Sequence, residues 1–282
     1  MLGNDVVDLA DVDARPETFR RRFEARVFAA QERQAIAEDE NPQACRWAHW
    51  GAKEAAYKLA RQLDPRFVFS PIKLVACFEP RVLRAKTGAP EAGERDTSVQ
   101  FERRGRLSLA AGPSTCERTR ERTRETTIEL RSFETGEFVH VVARPAGADW
   151  GAVAMAVESL GGRAEDPGLA VRRLALRRVA HELGVESRRL SIGRRDRIPT
   201  VELDGRTTQL SLSLSHHGRF VAFAMAPRGR GSERECAERD EGADPGERKQ
   251  VRGCGEEVTQ STGCVGYPVA VADIEWMAGG RT

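Results

Sequence analysis

No two cysteines stand at CxxC spacing in the 282 residues, and none of the six (Cys45, Cys77, Cys116, Cys236, Cys254, Cys264) pairs with histidine at a zinc-site interval. The usual zinc centres are therefore excluded and the thiols are expected to be reduced. Missing too is any apolar run approaching bilayer thickness, and the chain does not open with a basic stretch leading into an apolar one, so a soluble cytoplasmic protein is expected, with no membrane partner. Charge of one sign is also lacking. With 45 Lys and Arg against 43 Asp and Glu, the net charge of +2 gives no bulk attraction to nucleic acid. The basic run CERTRERTRETT alternates with glutamate and interleaves no aromatics for base stacking, so nucleic acid is not an expected partner.

Apolar residues are scarce as well: 40% hydrophobic against 31% charged is low for a chain packed throughout. The length favours two modules with additions. Residues 80–127, rich in Gly, Pro, Ser, Thr and charge, read as a flexible insertion holding at most a weak hairpin near Val99 to Ala110. Residues 228–282 read as a disordered tail.

What the chain does have is concentrated in three stretches. In the first, WGAKEAAYK at 50–58, the helical period from Trp47 to Leu63 gathers Ala48, Ala52, Ala55, Leu59 and Leu63 on a core stripe. Opposite lie Trp47, Trp50, Glu54, Lys58 and Arg61. Two readings fit this second stripe: a solvated helix face with an i, i+4 ion pair, or a carboxylate and cations sheltered by indoles, suited to a phosphorylated ligand. The second stretch, GNDVVDL at 3–9, puts Asp5, Val7 and Leu9 on one strand face and Asn4, Val6 and Asp8 on the other. Asp5 thus either belongs to a turn that launches the strand or serves a site. Asp11 and Asp13 offer a DxD spacing that is common by chance. The third stretch, LSLSLSHHGRFVAFA at 210–224, alternates leucine and serine as a half-buried strand does. His216 continues the leucine face and His217 the serine face; with Arg219 they form either a hydrogen-bonded hairpin tip or an anion site.

Other elements follow from pattern. Thr18 to about Glu38 reads as helical, interrupted or loosely amphipathic, Phe67 to Phe78 as one or two strands, and Thr127 to Pro145 as a hairpin turning at Glu134-Thr135-Gly136. Ala152 to Val157 reads as another strand. Leu169 to Gly184 reads as a helix with Leu169, Leu176, Val179, Ala180 and Leu183 inward and Gly184 as its stop.

Taken in order, Gly-x-Asp, the Lys-Glu-Ala helix and the late Ser-x-Ser-His strand resemble the 4′-phosphopantetheinyl transferase superfamily. The motif order is similar to that of the small holo-acyl-carrier-protein synthases, and RIPTVELDG at 197–205 looks like the segment preceding the Ser-His strand in that family. The likeness covers about residues 1–78 and 169–226. It implies an α+β fold, a pseudo-dimer of two helix-on-antiparallel-sheet modules at 1–145 and 150–227, acting as a monomer. It also implies an enzyme that moves the phosphopantetheine arm of coenzyme A to a serine of an acidic acyl or peptidyl carrier protein, with Mg²⁺. On the family's pattern Asp5 and Glu54 hold the metal, Glu54 doubles as general base, and Lys58 assists the leaving group. Lys53 and Lys58 contact coenzyme A phosphates, and Ser215 and His216 meet its 3′-phosphate, with His217 and Arg219 added by proximity. Arg20, Arg21, Arg22 and Arg26 would dock the carrier. Larger members carry a third acid where this chain has Val7, which favours the two-acid pattern of the smaller enzymes. The alternative reading is a non-catalytic carrier-protein or nucleotide-binding module of the same fold.

Overall fold

The architecture is set by how closely one helix lies on one strand. Strand β1 (Gly3–Asp8) and helix α3 (Pro42–Leu63) approach backbone to backbone, because Gly3 has no side chain: a Cβ there would fall 1.9 Å from the Ala55 carbonyl oxygen. Asn41 caps α3 by accepting from the Ala44 N–H, and Pro42 occupies the first turn, where its missing N–H costs nothing. Ala48, Ala52, Ala55 and Leu59 are buried as their spacing predicts, whereas Leu63 is exposed in the last turn. Of the opposite stripe, Trp47 and Glu54 are buried and Trp50, Lys58 and Arg61 half-buried, and Lys53 beside it is buried as well, since α1 (Arg21–Val27), α2 (Ala30–Glu38) and the segment after α3 cover this side.

The computed structural model describes residues 1–15, 21–84, 100–109, 126–161 and 165–228. The expected tail beyond 228 and most of the expected insertion lie outside the described residues, as does Arg20. Six strands make the main sheet: β1, β2 (Ala76–Phe78), β3 (Val82–Leu83), β4 (Phe101–Leu109), β5 (Thr126–Glu134) and β6 (Phe138–Pro145). The order is β1-β6-β5-β4-β2, with β3 also on β4, and every pairing is antiparallel. A second sheet, β11 (Leu210–His217), β12 (Phe220–Pro227) and β7 (Ala154–Ser159), is ordered β11-β12-β7. A third joins β8 (Leu190–Arg195), β9 (Ile198–Leu203) and β10 (Arg206–Thr207). Helix α4 (Pro167–Leu183) packs Ala175, Val179 and Ala180 against Leu212, Phe223 and Val201. Together these elements show an α+β, helix-and-antiparallel-sheet architecture, and Met1–Arg228 forms one compact unit. No helix among the described residues is long and apolar enough to cross a membrane. Cys45 and Cys77 are free thiols; the other four cysteines lie outside the described residues.

From Arg21 on, where the described residues resume, the segment expected to be helical is interrupted, as one reading had it: it is two helices, broken at Phe28 and Ala29, where Glu32 turns back to accept the Ala29 N–H. Several other expectations are corrected. Phe67 to Phe78 contains only the short β2, preceded by a 3₁₀ turn at Pro71–Lys73. Residues 101–109, read as part of an insertion, form a nine-residue strand paired along its length with β5. Their charge concealed this: Arg103 is buried, forked between Asp39 and Glu134. On α4 the buried face includes Ala170, Val171 and Ala175, while Leu169 is 63% exposed and Leu183 is also exposed. Gly184 ends α4 in the left-handed conformation, φ 61°, that its stop role requires.

Candidate functional site

Strand β1 is the edge of the main sheet, and its outward N–H groups need partners. Side chains from β11, more than two hundred residues later, supply them. Asn4 N–H donates to Ser213 Oγ at 2.9 Å, Val6 N–H to Ser215 Oγ at 3.2 Å, and Asp8 N–H to His217 Nδ1 at 3.1 Å. The serine face of β11 is therefore the inner one, with Ser211, Ser213 and Ser215 all buried, and the alternation serves as a ladder of hydroxyls. Leu212 faces the α4 core, so β11 is covered on both sides.

The Asp5 carboxylate lies between β11 and α3. Its Oδ1 accepts from Lys58 Nζ and from Ser215 Oγ, each at 2.9 Å. Lys58 donates again to the Asn4 carbonyl at 2.9 Å, which leaves one ammonium proton for a ligand, and its side chain is 30% exposed. No hydrogen bond from a described residue reaches Asp5 Oδ2, which faces Gly51: a Cβ on that glycine would lie 3.8 Å from it and 2.9 Å from Val141 Cγ2. Glu54 stands on the same helix between Gly51 and Lys58, three residues from one and four from the other, so it belongs to the turn that covers Asp5. It is buried. Trp50 and Tyr57, flanking it on the helix, pack on Phe69 with ring centroids 6.1 and 4.9 Å away. The indole shelter expected around the carboxylate is thus built partly from the segment after α3.

The remaining residues of the sequence motifs divide into two groups. Lys53, expected at the phosphates, is 0% exposed; its ammonium donates to both Glu32 oxygens at 2.8 and 2.7 Å and to the Pro71 and Leu74 carbonyls. Burial depresses the Lys53 pKa against the pull of Glu32. Glu32 is held low: burial raises it, but His49, Lys53 and the Ala76 N–H outweigh that. Lys53 therefore clamps α3 to α2 and the following segment, and a ligand would find no proton of its ammonium uncommitted. Ser215 is buried, with its hydroxyl spent on Val6 and Asp5. His217 is tied to β1 through Nδ1, which places its ring proton on Nε2. Arg219 forks onto Asp8, with Nε and Nη2 both at 2.8 Å and its backbone N–H at 2.9 Å. Asp8 is accordingly pulled down to about 2, since the Arg219 and main-chain hydrogen bonds outweigh the upward push of burial. Gly218 makes this approach feasible, because a Cβ there would meet Asp8 Oδ2 at 2.6 Å. The chain thus gives Asp8 the task of locking the β11–β12 turn to the end of β1. Asp11 caps a 3₁₀ turn by accepting the Asp13 N–H.

His216 differs from its neighbours in that no hydrogen bond ties its half-buried ring to another described residue. Burial lowers its pKa, and the charge of Lys58 lowers it further, so the ring is neutral at pH 7 and able to donate one N–H. Below the site His140 is fully buried, driven down to about 4 by burial, and its Nε2 lies 3.1 Å from Asn4 Nδ2. Of the arginines expected to dock a partner, Arg22 and Arg26 are exposed.

Two carboxylates, one with an uncommitted oxygen, are hard donors of the kind Mg²⁺ accepts. Among the described residues no group of three or more His, Cys, Asp or Glu side chains forms a metal cage. An ion held here would complete its shell with phosphate oxygens or water, which is how Mg²⁺ is usually bound. The donor set fits. Sequence reasoning missed two contributors, the Asn4 carbonyl that orients Lys58 and Gly51 beside Asp5. A glycine interrupting an alanine-rich helix was the available signal for the second.

A family model for the 4′-phosphopantetheinyl transferase superfamily matches residues 1–102. No curated protein and no solved structure matches the chain.

Proposed function

From the premise that residues 1–102 carry the pattern of the 4′-phosphopantetheinyl transferase superfamily, we propose that the chain transfers the phosphopantetheine arm of coenzyme A to a serine of an acyl or peptidyl carrier protein. The observation that carries this reading is the meeting of Asp5 and Lys58 on adjoining faces of β1 and α3, with Glu54 on the same turn. Asp5 Oδ2 and Glu54 would hold Mg²⁺. When bound, the ion would offset the charge that builds on the diphosphate of coenzyme A.

The remaining work falls to the chain's own groups. Glu54 accepts the proton of the carrier serine as its oxygen bonds to the phosphorus that bears the pantetheine arm. The P–O bond to the adenosine side breaks, and adenosine 3′,5′-bisphosphate leaves with the electron pair. Lys58 turns its remaining proton toward that departing charge. His216, rather than Ser215, His217 or Arg219, is free to donate to the 3′-phosphate. Exposed Arg22 and Arg26 would receive an acidic carrier. Because β1 and β11 of one chain complete the site, we take the protein to act as a monomer, with 1–145 and 150–227 as its two modules and the cytoplasm as its compartment.

The test is to incubate the protein with coenzyme A, Mg²⁺ and a panel of apo-carriers and weigh the carriers by mass spectrometry. One phosphopantetheine mass should appear on a cognate carrier, and Glu54→Gln should reduce the rate by about 100-fold or more, as loss of a general base does, without altering the circular dichroism spectrum. No mass gain on any carrier, or full activity in Glu54→Gln, would overturn the assignment.

A further inference from the structure

Ser215 touches both the β1 edge and the candidate metal acid. Its Oγ accepts from Val6 N–H at 3.2 Å and donates to Asp5 Oδ1 at 2.9 Å. Ser213, two residues earlier on the same face, makes the corresponding bond with Asn4 N–H at 2.9 Å, and among the described residues no carboxylate bonds to it. The two serines thus share the ladder and differ in one contact. That contact matters because a carboxylate has two oxygens and Asp5 has committed only one. With Lys58 and Ser215 both on Oδ1, rotation of the carboxylate about its terminal bond is fixed, and Oδ2 is the oxygen left facing Gly51. Lys58 alone would not fix it, since a flexible four-carbon side chain can follow either oxygen. A buried hydroxyl on a paired strand cannot follow.

We propose that Ser215 is a positioning residue for the divalent cation, holding Asp5 by Oδ1 so that Oδ2 is presented to the ion. This inference rests on the reading of Asp5 as a metal ligand. Its consequence is that a strand outside the family-matched residues 1–102 completes the metal acid lying inside them. Hydrogen bonds to ligating carboxylates are worth about 10- to 100-fold in metal affinity.

The experiment titrates Mn²⁺ into the full chain at saturating coenzyme A, reading free ion by electron paramagnetic resonance, for the parent, Ser215→Ala, Ser213→Ala, Ser215→Cys and Asp5→Asn. Coenzyme A and 3′-dephospho-coenzyme A affinities are measured without metal on the same proteins. Ser215→Ala should weaken Mn²⁺ about 10-fold or more while Ser213→Ala leaves Mn²⁺ affinity unchanged, although both lower the melting temperature. Neither should change the preference for coenzyme A over its dephospho form. Ser215→Cys, which keeps a weak donor of similar size, should fall between parent and Ser215→Ala, and it stands in if the alanine variant does not fold. Equal Mn²⁺ affinity in the Ser215 and Ser213 variants, with Asp5→Asn impaired, overturns the positioning role alone. Loss of the 3′-phosphate preference in Ser215→Ala also overturns it, by making the hydroxyl a coenzyme A contact. Unchanged Mn²⁺ affinity in Asp5→Asn removes the metal assignment and the inference with it.

Discussion

Replacing Asp8 with asparagine probes the join between the two sheets at its outer end. The carboxylate is 2% exposed and receives two bonds from the Arg219 guanidinium, with further bonds from the Arg219 and Ala10 backbone N–H groups. Its pKa falls from 3.8 to about 2, so the hydrogen bonds and the cation more than repay desolvation. Each pKa step is worth ~1.4 kcal/mol, which makes the charged form's contribution about 2 kcal/mol at neutral pH. Arg219 is 48% exposed, so part of that is screened and should shrink in salt. Asparagine keeps one acceptor oxygen, for either the Ala10 or the Arg219 backbone N–H, turns its NH2 toward the other, and loses the ionic part. The folded-state pKa is the lower one, so the stabilisation is complete above the unfolded value and disappears as pH falls through about 2. Urea unfolding of parent and Asp8→Asn should therefore differ by about 2 kcal/mol at pH 7, narrow as pH falls below about 4, and converge by about pH 1. A gap under about 0.5 kcal/mol at pH 7, as an ordinary exposed ion pair would give, or one as large at pH 2 as at pH 7, would refute the reasoning.

Two further outcomes follow from buried groups. Lys53→Met should cost about 3–5 kcal/mol by leaving Glu32 buried without its cation, while the folded fraction binds coenzyme A as the parent does; a selective loss of coenzyme A affinity at unchanged stability would return Lys53 to the phosphates. His140 titrates at about 4 when folded against 6.5 as its ordinary value. The unfolded chain therefore binds the extra proton first, and about 3 kcal/mol of stability should be lost as pH drops from 6.5 toward 4. His140→Gln should flatten that slope, and an unchanged slope in urea titrations across this range would contradict it.

How much of this was legible beforehand depends on what each side chain does besides matching a period. The core stripe of α3 and the Gly184 stop were legible because alanine spacing and a left-handed glycine act locally. The alternation of β11 was legible but its inner face was not, since serines pack inward here to serve the N–H groups of a strand some two hundred residues away. Strand β4 was hidden because Arg103 finds Asp39 and Glu134 only in the folded sheet. Lys53 and Lys58 look alike within one motif. Five residues of helical rotation put one in the interior on Glu32 and the other at the opening on Asp5. The pairing of Asp8 with Arg219 joins residues 211 apart in the chain, beyond any local pattern.

The most direct test of the account is where a divalent ion goes. Crystals grown with Mn²⁺ and coenzyme A should give an anomalous peak bound by Asp5 Oδ2 and Glu54, beside the diphosphate. A peak on other side chains, or one touching only one of the two acids, would contradict it.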